Sequence, residues 1–415
     1  MTSSRMRRML AAHAMAALTA ACATAPTSLD ELAARYVRVT LQLAQHDPTL
    51  VEAWTGPESL KPGPRVPVAD IATAVDNLRR SLEERGFDVS RAAESSRVRY
   101  LTGQVKALQF TARRLLGRST SVDDQLREEF GLAPAPFDQA AINRVLAELG
   151  RTLPGQAPLS DRVSALRLRT TVPRDRRQAV MDMAVRACRE PIALLIDLPQ
   201  DERVSIAFRS NLGWDAYARD VGEHHTSIEI NDDSALDVSR ALRLACHEGY
   251  AGHHAQHLLT DRAIRSRQWL ELQLTPAFGP HLLWAEGSAE VGADLAFPGE
   301  QRTALYRDRL FPAAGIEPVD VEALVRVDDL LPQLLPVVTD VAREYLATRL
   351  SQAQAIARLK DEAMIANASG TLAFIERRRA RALVYGEGRR AIESRLQTRT
   401  LTALRDLFPF RAALQ

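Results

Sequence analysis

Residues 241–259, ALRLACHEGYAGHHAQHLL, hold a His–Glu pair at His247 and Glu248 and two more histidines at His253 and His254. If these histidines serve one metal ion, the segment cannot be a straight helix. A helix turns about 100° and rises about 1.5 Å per residue, so His253 would point about 120° away from His247, and His254 would stand roughly 10.5 Å along the same face. Two ligands of one zinc each sit about 2.1 Å from it, which brings their nitrogens within a few ångströms of each other. The commonest zinc-hydrolase helix sets its second histidine four residues after the first; that position here is Ala251. Gly249 and Gly252 are the residues best able to loosen the helix between 249 and 253.

The rest of the chain reads as helix after helix. SLDELAARYVRVTLQLAQHDP starts with Ser28 and Glu31 at capping-box spacing and is stopped by Pro48. DIATAVDNLRRSLEERG closes on Gly86, an expected C-cap. Further helical patterns run over about 90–116, 137–149, 173–190 and 318–365. Strand signals are few: VSIAF at 204–208 and TSIEIN at 226–231, the latter a candidate edge strand for pairing with an extended peptide. The Pro/Gly clusters at 56–67 and 153–158 read as loops. The expected fold is mostly α, with a small β-sheet next to the metal-site helix.

The N-terminus, MTSSRMRRMLAAHAMAALTAAC, has a basic start, a short apolar run and small residues before Cys22. That pattern predicts a signal peptide over 1–21, too short to span a membrane. LTAAC resembles a bacterial lipobox, which implies lipidation of Cys22, with 22–27 as a tether and an exported, periplasmic product anchored to a membrane. Residues 28–415 are expected to form one helical domain, with an N-terminal half over 28–200 and a metal-site half over 201–415. The remaining cysteines, Cys188 and Cys246, could pair in an oxidising compartment, but their spacing does not require it. Basic residues number 54 against 52 acidic ones, and this near-cancellation gives no reason to expect nucleic acid as a partner.

Seven of the nine histidines fall between His224 and His281, so the chemistry is expected there. HEGYAGHHAQ resembles the bacterial family catalogued as domain of unknown function 885, in which His-Glu is followed after two variable residues by Pro-Gly-His and then by Gln three places on. His247, Glu248, Gly252, His253 and Gln256 match, and the proline is Ala251 here. The resemblance favours His253 over His254 as second ligand. Dipeptidyl peptidase III is similar, as a zinc enzyme with an insertion between its helix histidines. Later in the chain, HLLWAEGSAEVGADLAF supplies Glu286, Glu290 and Asp294 at four-residue steps on one helical face. WAEGSA is similar to the second signature of glutamate-zincin metallopeptidases, shortened by one residue, and to the family's EGWALYAE segment; both imply Glu286 as third ligand. GWDAYARDVGEHHTSIEIN and YGEGRRAI resemble further family segments, the latter matching Tyr385 and Gly388. The implied body is zincin-like.

Two imidazoles and one carboxylate would leave a zinc ion, Zn(2+), net positive with a position open for water. Glu248 is placed to take a proton from that water, and Tyr385 is the candidate donor to an oxyanion, with His254 second. His254, Gln256 and Glu290 are candidates for orienting or alternative ligands. The expected function is an exported zinc-dependent hydrolase, a metallopeptidase acting on peptide or small amide substrates. The alternatives are a non-catalytic helical lipoprotein that binds a metal or ligand, and a zinc hydrolase of non-peptide amides or esters. An arginine of ERRRARAL, 376–383, is a further candidate for a substrate carboxylate.

Overall fold

The computed structural model describes residues 28–85, 92–317, 319–396, 400 and 402–403. The expected signal peptide, the Cys22 lipidation site, the tether and the Gly86 cap lie outside these residues. The fold is mostly helical. The first helix, Leu29–Ala44, begins on the expected capping box: Glu31 N–H donates to Ser28 Oγ at 3.2 Å, and Ser28 N–H to Glu31 Oε2 at 2.9 Å. Its apolar face, including Leu32, Tyr36 and Leu43, is buried against helices Val68–Arg85 and Ala92–Leu115. Leu274 and Phe278, from far along the chain, complete that cluster. Helices Gln139–Thr152 and Arg177–Ile192 stand near their expected places and share a second, larger core with the histidine region.

The pattern over 318–365 is not one helix. It divides into Val321–Leu330, Leu335–Leu346 and Gln352–Asp361. Pro332 falls in a 3-10 turn and Pro336 in the first turn of the next helix, while Ser351 and Gln354 form a fresh capping box. Proline removes a backbone donor and crowds the preceding turn, which outweighs continuous apolar periodicity.

Five strands occur among the described residues. β1 (Val51–Trp54) pairs antiparallel with β5 (Leu274–Pro276). β2 (Arg203–Arg209), β3 (Ala216–Asp220) and β4 (His225–Asn231) form a sheet of order β2-β4-β3. The strand expected at an edge, β4, is central. Its Ile228 faces Ile206 of β2 in parallel and Ala218 of β3 in antiparallel register, so its backbone is committed on both sides. β3 is the edge. It had no apolar alternation to announce it. Among the described residues, no helix is long and apolar enough to cross a membrane.

Cys188 and Cys246 form a disulfide with their Cα atoms 5.4 Å apart and 58 residues of separation. It ties helix Arg177–Ile192 to the residue just before His247. Closing a loop of this size removes about 4 kcal/mol of unfolded-chain entropy. Cys188→Ser with Cys246→Ser is therefore expected to lower unfolding stability by about that amount, read by urea titration; an unchanged midpoint would show that the bond contributes nothing.

Candidate metal centre

The first histidine helix, Val238–Glu248, starts at Asp237, whose carboxylate accepts from Arg240 N–H at 3.0 Å. Val238, Ala241, Leu242 and Ala245 are buried along it, so His247 and Glu248 arrive at its end facing inward. There the helix stops. Gly249 and Gly252 enclose a turn of four residues, and His253 opens a second helix, His253–Arg267. A Cβ on Gly252 would lie 1.8 Å from the His247 carbonyl oxygen, and one on Gly249 2.3 Å from that of Ala245. The break forms without the family's proline: Ala251 is fully buried in its place.

This turn swings His253 onto the same side as His247, their ring centroids 4.9 Å apart and nearly perpendicular. Glu286 comes from the acidic helix, Gly279–Ala296. Its Oε2 lies 3.3 Å from His247 Nε2 and 3.6 Å from His253 Nε2. One ligand atom from each of the three residues falls within a 4.8 Å span. Ligand atoms around a tetrahedral zinc with bonds of about 2.1 Å would stand roughly 3.4 Å apart, so the spacing fits that ion. Glu286 Oε2 is also buried without a hydrogen bond. Its two imidazole neighbours are close but not aligned to donate to it, which is the arrangement of groups aimed at a shared centre.

Supporting contacts orient the pair. Gln256 Oε1 faces His253 Nδ1 at 3.0 Å, and its amide donates to the Ala285 carbonyl at 2.9 Å and to Ser288 Oγ at 3.1 Å. That chain fixes the ring with Nε2 turned inward. Glu290 Oε1 stands 3.2 Å from His247 Nδ1. Burial would strip the proton from His247, yet Glu286 and Glu290 hold it well above the usual histidine range. Burial likewise opposes charge on Glu286, but His253 and His247 hold its carboxyl below the usual range. The site's electrostatics therefore favour positive charge.

His254 is not at this centre. It is fully buried on the other side of the helix, with Nδ1 2.8 Å from Thr226 Oγ1 on β4 and Nε2 3.1 Å from Glu202 Oε2. It cannot serve as an alternative ligand or reach an oxyanion. Adjacent residues on a helix point about 100° apart, so one faces the acidic helix and the other the sheet. Glu202, which no sequence motif marked, also accepts from Tyr250 Oη and, at 2.7 Å, from Arg189 Nε. Burial would raise this carboxyl, but those hydrogen bonds bring it down to about 2.

Burial raises Glu248, with His247 and His253 opposing. Tyr385, on the closing helix Val384–Glu393, has its ring centroid 6.3 Å from that of His247. Glu286, then burial and Glu248, hold its phenol well above the ordinary value, so it stays a donor. Gly388 makes this placement work: a Cβ there would meet the Leu283 carbonyl at 2.6 Å, so the closing and acidic helices touch through backbone. Asp294, third in the acidic stripe, is bound instead to Arg302 and Arg389 at 2.7 and 2.5 Å.

His247, His253, Glu286 and Glu290 lie in a cleft of about 2260 Å³, lined by Glu52, Tyr217, Glu248, Tyr385 and Arg378 among others. Glu52, on β1, was also unmarked in sequence; its side chain is exposed to the open cleft, yet the enclosing walls and then the neighbouring Glu286 push it up to about 7.

No family model and no curated protein matches the chain, so the motif resemblance rests on its own residues. Among solved structures, the chain is similar to a proposed lipoprotein from Colwellia psychrerythraea at 15% identity and a TM-score of 0.52, over 83% of this chain and 65% of that one. It thus spans just under two thirds of that protein's length. More distant likenesses are to an M32 carboxypeptidase from Deinococcus radiodurans R1 (14% identity, 92% and 89% of the two chains, TM-score 0.41) and to a proposed lipoprotein of unknown function from Shewanella oneidensis (14%, 93% and 73%, 0.44). What this chain shares with the Colwellia protein, at 15% identity, is the fold.

Proposed function

We propose that this protein is a zinc-dependent hydrolase that cleaves peptide or other amide bonds, exported and held at a membrane through Cys22. The observation that carries the reading is the convergence of His247, His253 and Glu286 around a buried, unbonded carboxylate oxygen, with Glu248 one residue from the first ligand. His247, His253 and Glu286 would hold the zinc. Bound there, it would supply a Lewis acid and an acidified water.

The chain's own groups do the rest. Glu248 takes a proton from the attacking water as its oxygen bonds to the carbonyl carbon. The Tyr385 phenol donates to the carbonyl oxygen as negative charge develops there. Glu248 then returns the proton to the leaving nitrogen as the C–N bond breaks. Gln256 keeps the His253 imidazole in register, and the Glu290 carboxylate stands beside the His247 imidazole. The free edge of β3, which lines the cleft, can pair with an extended substrate backbone.

Metal analysis of the mature chain carrying Cys22→Ser tests the centre. About one zinc per chain is expected, lost in His247→Ala and in His253→Ala and kept in His254→Gln. A parent that takes up no zinc when it is offered would end the hydrolase reading.

A further inference from the structure

Three arginines, Arg377, Arg378 and Arg381, line the same cleft. Many arginines elsewhere are tied to acids, as Arg97 is to Glu271, Arg167 to Asp328 and Arg358 to Glu362. These three are not. Arg381 donates to the Thr49 carbonyl at 3.1 Å, which fastens its side chain beside β1 but neutralises no charge. Arg377 and Arg378 make neither an ion pair nor a hydrogen bond among the described residues.

The backbone brings them to one wall. Helix Ala368–Arg378 ends as Arg379 takes φ +50°, a costly value for a residue with a Cβ, and the chain turns into the 3-10 segment Arg379–Leu383. Arg379 spends its own guanidinium on the Thr120 carbonyl at 3.1 Å.

Glu129, Glu52 and Asp47 act on Arg381 without forming an ion pair with it. The buried Glu129 is pushed up to about 7 by burial, so it is only partly ionised near neutrality. Burial and the neighbouring Arg378 charge lower Arg381, as expected of two cations with too little negative charge between them. Glu52, Arg378 and Arg381 line the same cleft as His253 and Glu286 of the metal centre.

We infer that Arg378, with Arg381 beside it, binds a carboxylate of the molecule held at the metal centre, so that the substrates are short peptides bearing a free carboxyl terminus or an acidic side chain. A planar guanidinium matches a carboxylate through paired, charge-assisted hydrogen bonds. Only the word substrate rests on the hydrolase reading; carboxylate binding stands without it.

The test is calorimetric binding to zinc-loaded Glu248→Gln protein of trialanine, trialanine amide and Ala-Ala-Glu amide, with turnover of the same peptides by the parent. Trialanine is expected to bind about 10- to 100-fold tighter than its amide. Arg378→Ala should bring the acid down to the level of the amide, and Arg378→Lys should restore part of the difference. Zinc content should be unchanged in both. Ala-Ala-Glu amide binding like the acid would show that a side-chain carboxylate serves; binding like the amide would assign recognition to the terminus. Equal affinity for acid and amide, or a preference that survives both Arg378→Ala and Arg381→Ala, overturns the inference. Equal kcat/KM on acid and amide also overturns it while leaving the hydrolase intact. No turnover of any peptide, with Arg378-dependent binding preserved, would do the reverse.

Discussion

Glu248→Gln is expected to keep about one zinc per chain and to lower kcat on a cleaved peptide by about 10²- to 10⁴-fold. The substitution is nearly isosteric and leaves His247, His253 and Glu286 untouched, so metal content and KM should change little. What it removes is the only function an amide cannot perform, accepting and returning a proton. Zinc content and steady-state kinetics on one sample separate the two effects. A variant that keeps the parent's kcat would reassign the base, and one that loses zinc would make Glu248 part of the metal's support.

Gly252→Ala is expected to be as severe by a different route. The added methyl would stand 1.8 Å from the His247 carbonyl oxygen and 2.9 Å from that of Cys246, both backbone atoms that cannot swing aside. The turn would have to open, and His253 would leave the centre with it. A loss of about 4 kcal/mol or more together with loss of zinc is expected, measured by urea unfolding and metal content. Gly63→Ala is the control, since nothing lies within 4 Å of a Cβ there, and it should behave as the parent. Gly252→Ala protein that folds and binds zinc normally would mean that the two-helix turn is not what brings the ligands together.

Much of this centre is legible in the chain. The helix geometry of 241–259 showed that a break was needed and that glycines 249 and 252 could provide it, and both flank the observed turn. The four-residue spacing of Glu286 and Glu290 put both on one face, and both meet His247. Caps and prolines marked the first helix well. The same signals misled over 318–365, where apolar periodicity ran on through Pro332 and Pro336 although the helices do not.

Local signals carry this far because helix period, caps and turn residues are decided by contacts within a few positions. They determined a mostly helical body, the place where the histidine helix must break if its histidines are to share a metal, and the acid and imidazole groups available there. Tertiary structure decided the rest. The motif resemblance favoured His253 over His254, but neighbouring helix positions look alike until Thr226 and Glu202, distant in sequence, claim His254 for the sheet. The pairing of Cys188 with Cys246 and the meeting of Glu52 and Arg378 in one cleft have the same cause. Each joins residues many positions apart, and only the packing of helices against one another and against the sheet sets which of them meet.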